Sequence, residues 1–216
     1  MDVFEALYTT RAMRRVKPDP IPGDVQERIL DAAVRGPSGG NTQNWRFLLL
    51  DDPAVKAELG PLYRAALGVL FETHYKPMRE KGDAQAQSVL KSAKHLADNF
   101  EAYPLMLFAF TRNDPSGGSI FPSVWSAQLA ARAFGVGSAL TTVLGLFHGA
   151  EAMRILGVPE GKGWEMACTV TFGYPTGRWG VAPRRPVHEV SYRNRWGDPV
   201  GFEIPEPLWT YDDGGS

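Results

Sequence analysis

The chain has 216 residues, 44% of them hydrophobic and 22% charged, and Lys+Arg 23 against Asp+Glu 24 give a formal net charge of −1. That length suits one domain, expected over residues 1–211, with a core large enough to need no disulfide or metal staple. The near-neutral balance lacks the basic excess of a nucleic-acid-binding surface. A single cysteine, Cys168, excludes an internal disulfide and a thiolate metal site, and its setting "EMACTVTFGY" reads as a buried strand. The four histidines are scattered without HExxH-type spacing, so no metal is expected. The opening "MDVFEALYTTRAMRR" carries acidic residues where a signal peptide needs a basic region, and runs such as "PLMLFAF" are too short to span a bilayer. A cytoplasmic protein is expected.

In chain order, a first helix is predicted over residues 2–9. "PDPIPGDVQERILDAAVRG" predicts a second. Its prolines end the preceding segment, Asp24 and Glu27 sit near a helix N-terminus, and Val25, Ile29, Ala32 and Ala33 fall on one face before Gly36 and Pro37 stop it. "WRFLLLD" reads as a strand. Residues 54–72 and 84–99 read as helices separated by a polar turn, "REKGD". "PLMLFAFTR" is too uniformly apolar to face water and is a buried strand. Residues 122–135 form an Ala-rich helix, "VGSALTTVLG" is a small-residue segment, "GAEAMRILG" a short helix and "WEMACTVTFGYP" another buried strand. Beyond Pro175 periodicity is lost, although Trp179, Trp196 and Trp209 call for packing against this chain or a second copy. Residues 212–216, "DDGGS", are expected to be disordered. Helices and strands without strict βαβ alternation indicate an α+β fold with a mixed, mostly antiparallel sheet.

Three clusters carry chemistry. In "TTRAMRRV", Arg11, Arg14 and Arg15 repel one another unless solvated or given an anion, and a guanidinium fork fits a phosphate. A solvated basic face explains the segment as well if it stands alone. In "GPSGGNTQNWRF" the glycines let backbone approach a flat ligand, while Asn41, Gln43 and Asn44 offer donors and acceptors to a heterocycle. An amide-capped loop is the plainer reading. In "PRRPV", Arg184 or Arg185 would close the far side of an anion site; alone, a surface Arg pair is the simpler account.

Taken together and in order, "TRAMR" (10–14), "PDPIP" (18–22), "GPSGGNTQNWRF" (36–47), "FGVGSALTT" (134–142), "FGYP" (172–175) and "PRRPV" (183–187) resemble the FMN-dependent nitroreductase family, with its iodotyrosine-deiodinase-like and flavin-destructase-like relatives. The resemblance implies a three-layer α-β-α fold, a homodimer with FMN at the subunit interface, and a domain-exchanged C-terminal arm. Carried over by position, it assigns cofactor binding to Arg11, Ala12, Met13, Arg14, Pro37, Ser38, Gly39, Asn41, Gln43, Leu140, Thr141, Thr142 and Arg184. Arg11 and Arg184 correspond to phosphate ligands and Arg14 to the cation near the flavin pyrimidine. Leu140, Thr141 and Thr142 correspond to the segment facing flavin N5, and both threonines are the candidates to act there. Thr10 and Ala12 depart from the family's Arg and Ser, so Arg15 or Arg185 is a candidate replacement ligand.

The activity so implied is electron transfer from NAD(P)H through FMN to a nitroaromatic, quinone or other electron-poor small molecule, in a ping-pong cycle. A deiodinase-like reductive dehalogenase with one-electron steps and a non-enzymatic flavin-sequestering protein are the alternatives. Tyr63, Phe71, Tyr75, Phe100 and Tyr103 are candidates for the wall of the acceptor pocket, or for ordinary core.

Overall fold

The computed structural model describes residues 1–210, so the tail expected at 212–216 lies outside the described residues. Contacts divide the chain into two compact units, one of Ala12–Gly177 and one of Met1–Arg11 with the chain from Arg178 onward.

The larger unit is built around β2 (Leu105–Thr111), every residue of which is buried. It pairs on one side with β1 (Trp45–Leu50) and on the other with β4 (Glu165–Gly173), which in turn pairs with β3 (Gly137–Thr141). Every ladder is antiparallel. This is the expected α+β fold with a mostly antiparallel sheet: the one parallel pairing among the described residues is an isolated bridge from Ala12 to Ser138.

Successive strand residues point to opposite faces, and here each face has its own helices. Leu105, Leu107 and Ala109 pack with Ile29 of α2 (Gly23–Ala33) and with Val124, Ala127 and Ala131 of α6 (Ile120–Ala133). Met106, Phe108 and Phe110 pack on the other side with Leu59 and Tyr63 of α3 (Pro53–Glu72), Leu96 of α5 (Ala84–Asp98) and Leu144 of α7 (Val143–Ile155). The result is the three-layer α-β-α arrangement. A slip in register between Ala109 and Phe110 makes Cys168 and Met166 their partners and skips Ala167. Cys168, Val170 and Phe172 therefore face α2 and α6, while Met166 joins the opposite cluster.

Local chemistry sets the helix ends. Asp52 accepts from the Ala54 and Val55 amides ahead of Pro53, and Asp83 accepts from the Ala86 amide. The predicted polar turn "REKGD" is in part helix: α4 (Lys76–Lys81) has no buried residue and stops at Gly82, whose φ of 64° is left-handed. The small-residue segment divides between β3 and the start of α7, which begins at Val143 and so precedes the predicted helix. On the α3 side the buried Lys56 donates from Nζ to the Tyr103 carbonyl at 2.9 Å. Among the described residues no helix is long and apolar enough to cross a membrane.

In the smaller unit, α1 (Val3–Thr9) is capped by Asp2, and the Tyr8 carbonyl accepts from the Ala182 amide at 2.9 Å. Tyr8 and Trp209 have ring centroids 6.0 Å apart. A cavity of about 760 Å³ lies between Leu7, Tyr8, Arg184, Phe202, Ile204 and Leu208. Trp179 and Trp209 are half-buried, as large aromatics require, but Trp196 is 90% exposed beside Tyr192.

Two outcomes test this packing. A Cβ at Gly36 would lie 2.5–2.7 Å from Ser123 Oγ, Cα and N, so Gly36→Ala must push the end of α2 off α6. A loss of about 1–3 kcal/mol is expected, read as a lower Tm; an unchanged Tm would show a looser contact. Burial pushes the Cys168 thiol up to about 12, so a disulfide reagent at pH 8 is expected to label it only in denaturant, and labelling of the folded protein would contradict its place in the sheet.

Candidate functional site

The segment after Arg11 is strapped to the sheet by its main chain. The Met13 amide donates to the Ser138 carbonyl at 2.8 Å, the Tyr103 hydroxyl to the Arg14 carbonyl at 2.6 Å, the Thr176 amide to the Arg15 carbonyl at 3.1 Å and the Lys17 amide to the Tyr174 carbonyl at 2.8 Å. Ala12 is exposed, while Met13 turns its buried side chain toward Gly137. With the backbone committed in this way, the Arg14 and Arg15 side chains line a cavity of about 290 Å³ together with His95, Asn99, Tyr103 and Thr176. Among the described residues neither guanidinium has a carboxylate partner. Burial raises the pKa of Tyr103 to about 12 and also raises that of Tyr63, and the positive charge of Arg14 offsets part of both shifts.

The end of β3 supplies a hydroxyl to the same unit. Thr141 Oγ1 lies 3.1 Å from the Tyr63 hydroxyl and accepts from the Val143 amide at 3.3 Å. Thr142 opens α7 without a side-chain cap, its carbonyl accepting from the Leu146 amide at 3.0 Å. Leu140 is half-buried against the α2 and α6 face. The two candidate threonines thus differ: one hydroxyl is wired into the core, and the other is held through main chain alone.

The loop before β1 is preformed. Gly40, Asn41 and Gln43 all have left-handed backbone, with φ of 57°, 52° and 50°. Ser38 Oγ accepts from the Gln43 amide at 2.9 Å, Ser119 Oγ from the Gly39 amide at 3.2 Å, and Asn41 Oδ1 from Gln43 Nε2 at 3.1 Å. Pro37, Gly39, Asn41 and Gln43 are exposed. Part of the polar supply read as ligand-facing is therefore committed to the loop itself, leaving the Asn41 amide nitrogen and the Gln43 side-chain oxygen. Ser119, which sequence reasoning passed over, is fixed by Asp114, whose carboxylate accepts from the Ser119 and Ile120 amides. The run "DPSGGS" was its only signal.

Arg11 and Arg184 fall in the smaller unit. Arg11 donates to the Arg178 carbonyl at 3.1 Å and Arg184 to the Pro183 carbonyl at 2.8 Å, and among the described residues neither has a carboxylate partner. Arg185 differs, being paired with Glu189 at 3.3 Å. The aromatic residues considered for an acceptor wall are largely core: Tyr63, Phe100 and Tyr103 are buried, Tyr63 and Phe100 stack at 4.5 Å, and only Phe71 and Tyr75 are half-buried. His95, Asn99 and Thr176, which line the cavity with Arg14, had no distinguishing pattern in the sequence.

The chain is similar to known proteins in sequence and in fold. The chain is 27% identical over 185 residues to the 5,6-dimethylbenzimidazole synthase of Rhodobacter capsulatus, covering 79% of this chain and 82% of that protein. It is 27% identical over 210 residues to an NADH dehydrogenase of Thermus thermophilus, covering 88% and 95% respectively. In fold it is similar to the FMN-dependent nitroreductase NfnB of Mycobacterium smegmatis, solved in complex with NADPH, with a TM-score of 0.66, 21% identity, and coverage of 88% of this chain and 97% of that one. The model of the Nitroreductase family matches residues 7–174, which takes in the arginine strap, the left-handed loop and the end of β3, and the chain belongs to that family.

Proposed function

We propose that this chain is an FMN-dependent oxidoreductase that passes electrons from NADH or NADPH to an electron-poor small molecule, such as a nitroaromatic or a quinone, donor and acceptor using one pocket in turn. The observation that carries this reading is Arg14: a cation with no carboxylate partner among the described residues, its backbone held by Tyr103, lining a polar cavity and acting electrostatically on Tyr63, which binds Thr141. A fixed cation of this kind suits the end of a flavin ring that becomes anionic on reduction.

The donor set fits FMN. Bound there, the cofactor supplies the hydride-accepting and electron-donating chemistry. Arg14 would hold the pyrimidine end of the ring and Thr141 the N5 region. Asn41 and Gln43 retain one amide donor and one amide acceptor for the ring's alternating groups. Arg11 and Arg184 are the residues for the phosphate because neither has a carboxylate partner among the described residues, and a phosphate dianion compensates two guanidiniums. Arg15 is the better candidate for a third contact, since Arg185 is already neutralised by Glu189. The working unit is a homodimer in which the arm beyond Arg178 reaches the second copy. The large cavity in the smaller unit and the exposed Trp196 support this, because both leave apolar surface uncovered.

Purified protein mixed with FMN is expected to retain one flavin per chain, to bleach with NADPH or NADH, and to recover its colour with a quinone. Retention of colour without bleaching would leave a flavin-storage protein, and absence of colour would remove the proposal. Among variants, Arg11→Ala and Arg184→Ala are each expected to weaken FMN binding about 10- to 100-fold, the loss of a charge-assisted contact, with Arg185→Ala near wild type. Equal losses for all three would show that the pairing with Glu189 does not select the ligand. Arg14→Met is expected to keep the flavin while lowering its midpoint potential.

A further inference from the structure

We infer that Tyr63 is a positioning residue: it fixes the Thr141 hydroxyl as a pure hydrogen-bond donor, so that an atom set beside Thr141 must be an acceptor. The inference rests on the FMN reading only for the identity of that atom, N5 of the ring.

The direction of the 3.1 Å contact between Tyr63 and Thr141 follows from counting hydrogens. Tyr63 is 2% exposed and its ring stacks on Phe100 at 4.5 Å, in an apolar cluster. Were Thr141 the donor, the phenolic hydrogen would be left buried with no acceptor among the described residues, which is costly. Tyr63 therefore donates. Burial also raises its pKa, so it keeps that proton across the physiological range. The other lone pair of Thr141 Oγ1 takes the Val143 amide at 3.3 Å. Both acceptor sites are filled, and the hydroxyl hydrogen of Thr141 is the only capacity remaining. Thr142, one residue on and without a side-chain cap bond, has no such polarity imposed on it.

Oxidised flavin N5 is an acceptor, whereas reduced N5 carries a hydrogen and is a donor. A hydroxyl that can only donate favours the oxidised ring. Removing the Tyr63 hydroxyl frees a lone pair on Thr141, lets it turn, and lets it accept from the reduced ring.

The test compares wild type, Tyr63→Phe, Thr141→Val and the double variant by Tm, flavin stoichiometry and midpoint potential of the bound cofactor. Tyr63→Phe is expected to keep stoichiometric FMN and to shift the reduced-to-oxidised binding ratio about 3- to 10-fold, about 15–30 mV upward for a two-electron couple. Thr141→Val is expected to shift it upward too, and Tyr63→Phe to add nothing in that background. An unchanged potential in flavin-loaded Tyr63→Phe, or a shift that persists when Thr141 is Val, overturns the inference. If no variant retains flavin, the FMN reading fails and NMR of the protein as isolated decides this point by itself. The expected result is a slowly exchanging Tyr63 hydroxyl proton with a through-space contact to Thr141. A freely exchanging Tyr63 proton overturns it, as does a Thr141 proton held by Thr169 Oγ1, the buried, unpartnered hydroxyl directly across the β3–β4 ladder.

Discussion

A strand that is apolar along its whole length must be covered on both faces, and β2 imposes that requirement on the larger unit. With roughly 25 cal/mol for each Å² of apolar surface removed from water, "LMLFAFT" contributes its burial energy only if helices close over Leu107 and Phe108 alike. The chain meets the requirement with α2 and α6 on one side and α3, α5 and α7 on the other. The two sides are not equivalent. Toward α2 and α6, β4 presents Cys168, Val170 and Phe172; toward α3 it presents Thr169 and Thr171, both buried.

Those threonines mark a polar seam in an otherwise apolar layer. Tyr63, Tyr103, Thr141, Thr169, Thr171 and the Lys56 ammonium all lie on the α3 side, where each buried polar group needs a partner. Lys56 bonds to the Tyr103 carbonyl, the Tyr103 hydroxyl to the Arg14 carbonyl and Tyr63 to Thr141. Among the described residues Thr169 Oγ1 alone of these lacks one. A core built for stability alone would place valine at such positions. The seam instead links a helix, the edge strand and the arginine strap, so that placing Arg14 and Thr141 depends on hydrogen bonds as well as on shape.

Much of this architecture was legible because it follows from period and hydropathy. The uniform apolar run gave β2, and the spacing of Val25, Ile29 and Ala33 gave the buried face of α2. The failures have equally local causes. α4 buries nothing, so no apolar period could announce it, and its left-handed Gly82 was read as the turn alone. α7 begins six residues before the predicted helix, inside the segment read only as small residues, which includes Gly145. In the fold that glycine is required, since a Cβ there would sit 2.7 Å from the Met166 carbonyl. At the site, the arginines were visible as charge. The difference between Arg184 and Arg185 was readable too, because Glu189 stands four residues after Arg185. The contact between Tyr63 and Thr141 spans 78 residues and had no signature in either segment.

The loop at 36–44 shows why the bland and the functional readings of its amides are not rivals. Left-handed backbone at Asn41 and Gln43 costs about 1–2 kcal/mol per non-glycine residue, less for Asn, whose side chain tolerates it. That strain persists because Ser38, Ser119 and the Asn41–Gln43 contact hold it. A loop needed only to connect α2 to β1 would relax it by placing glycine at those positions. Here the amides that cap the loop also fix the direction of its two remaining polar groups, and the ordering entropy is lost on folding instead of on binding. Strain retained at an exposed loop with uncommitted donors and acceptors is consistent with the proposed use of this loop against a flat polar ligand.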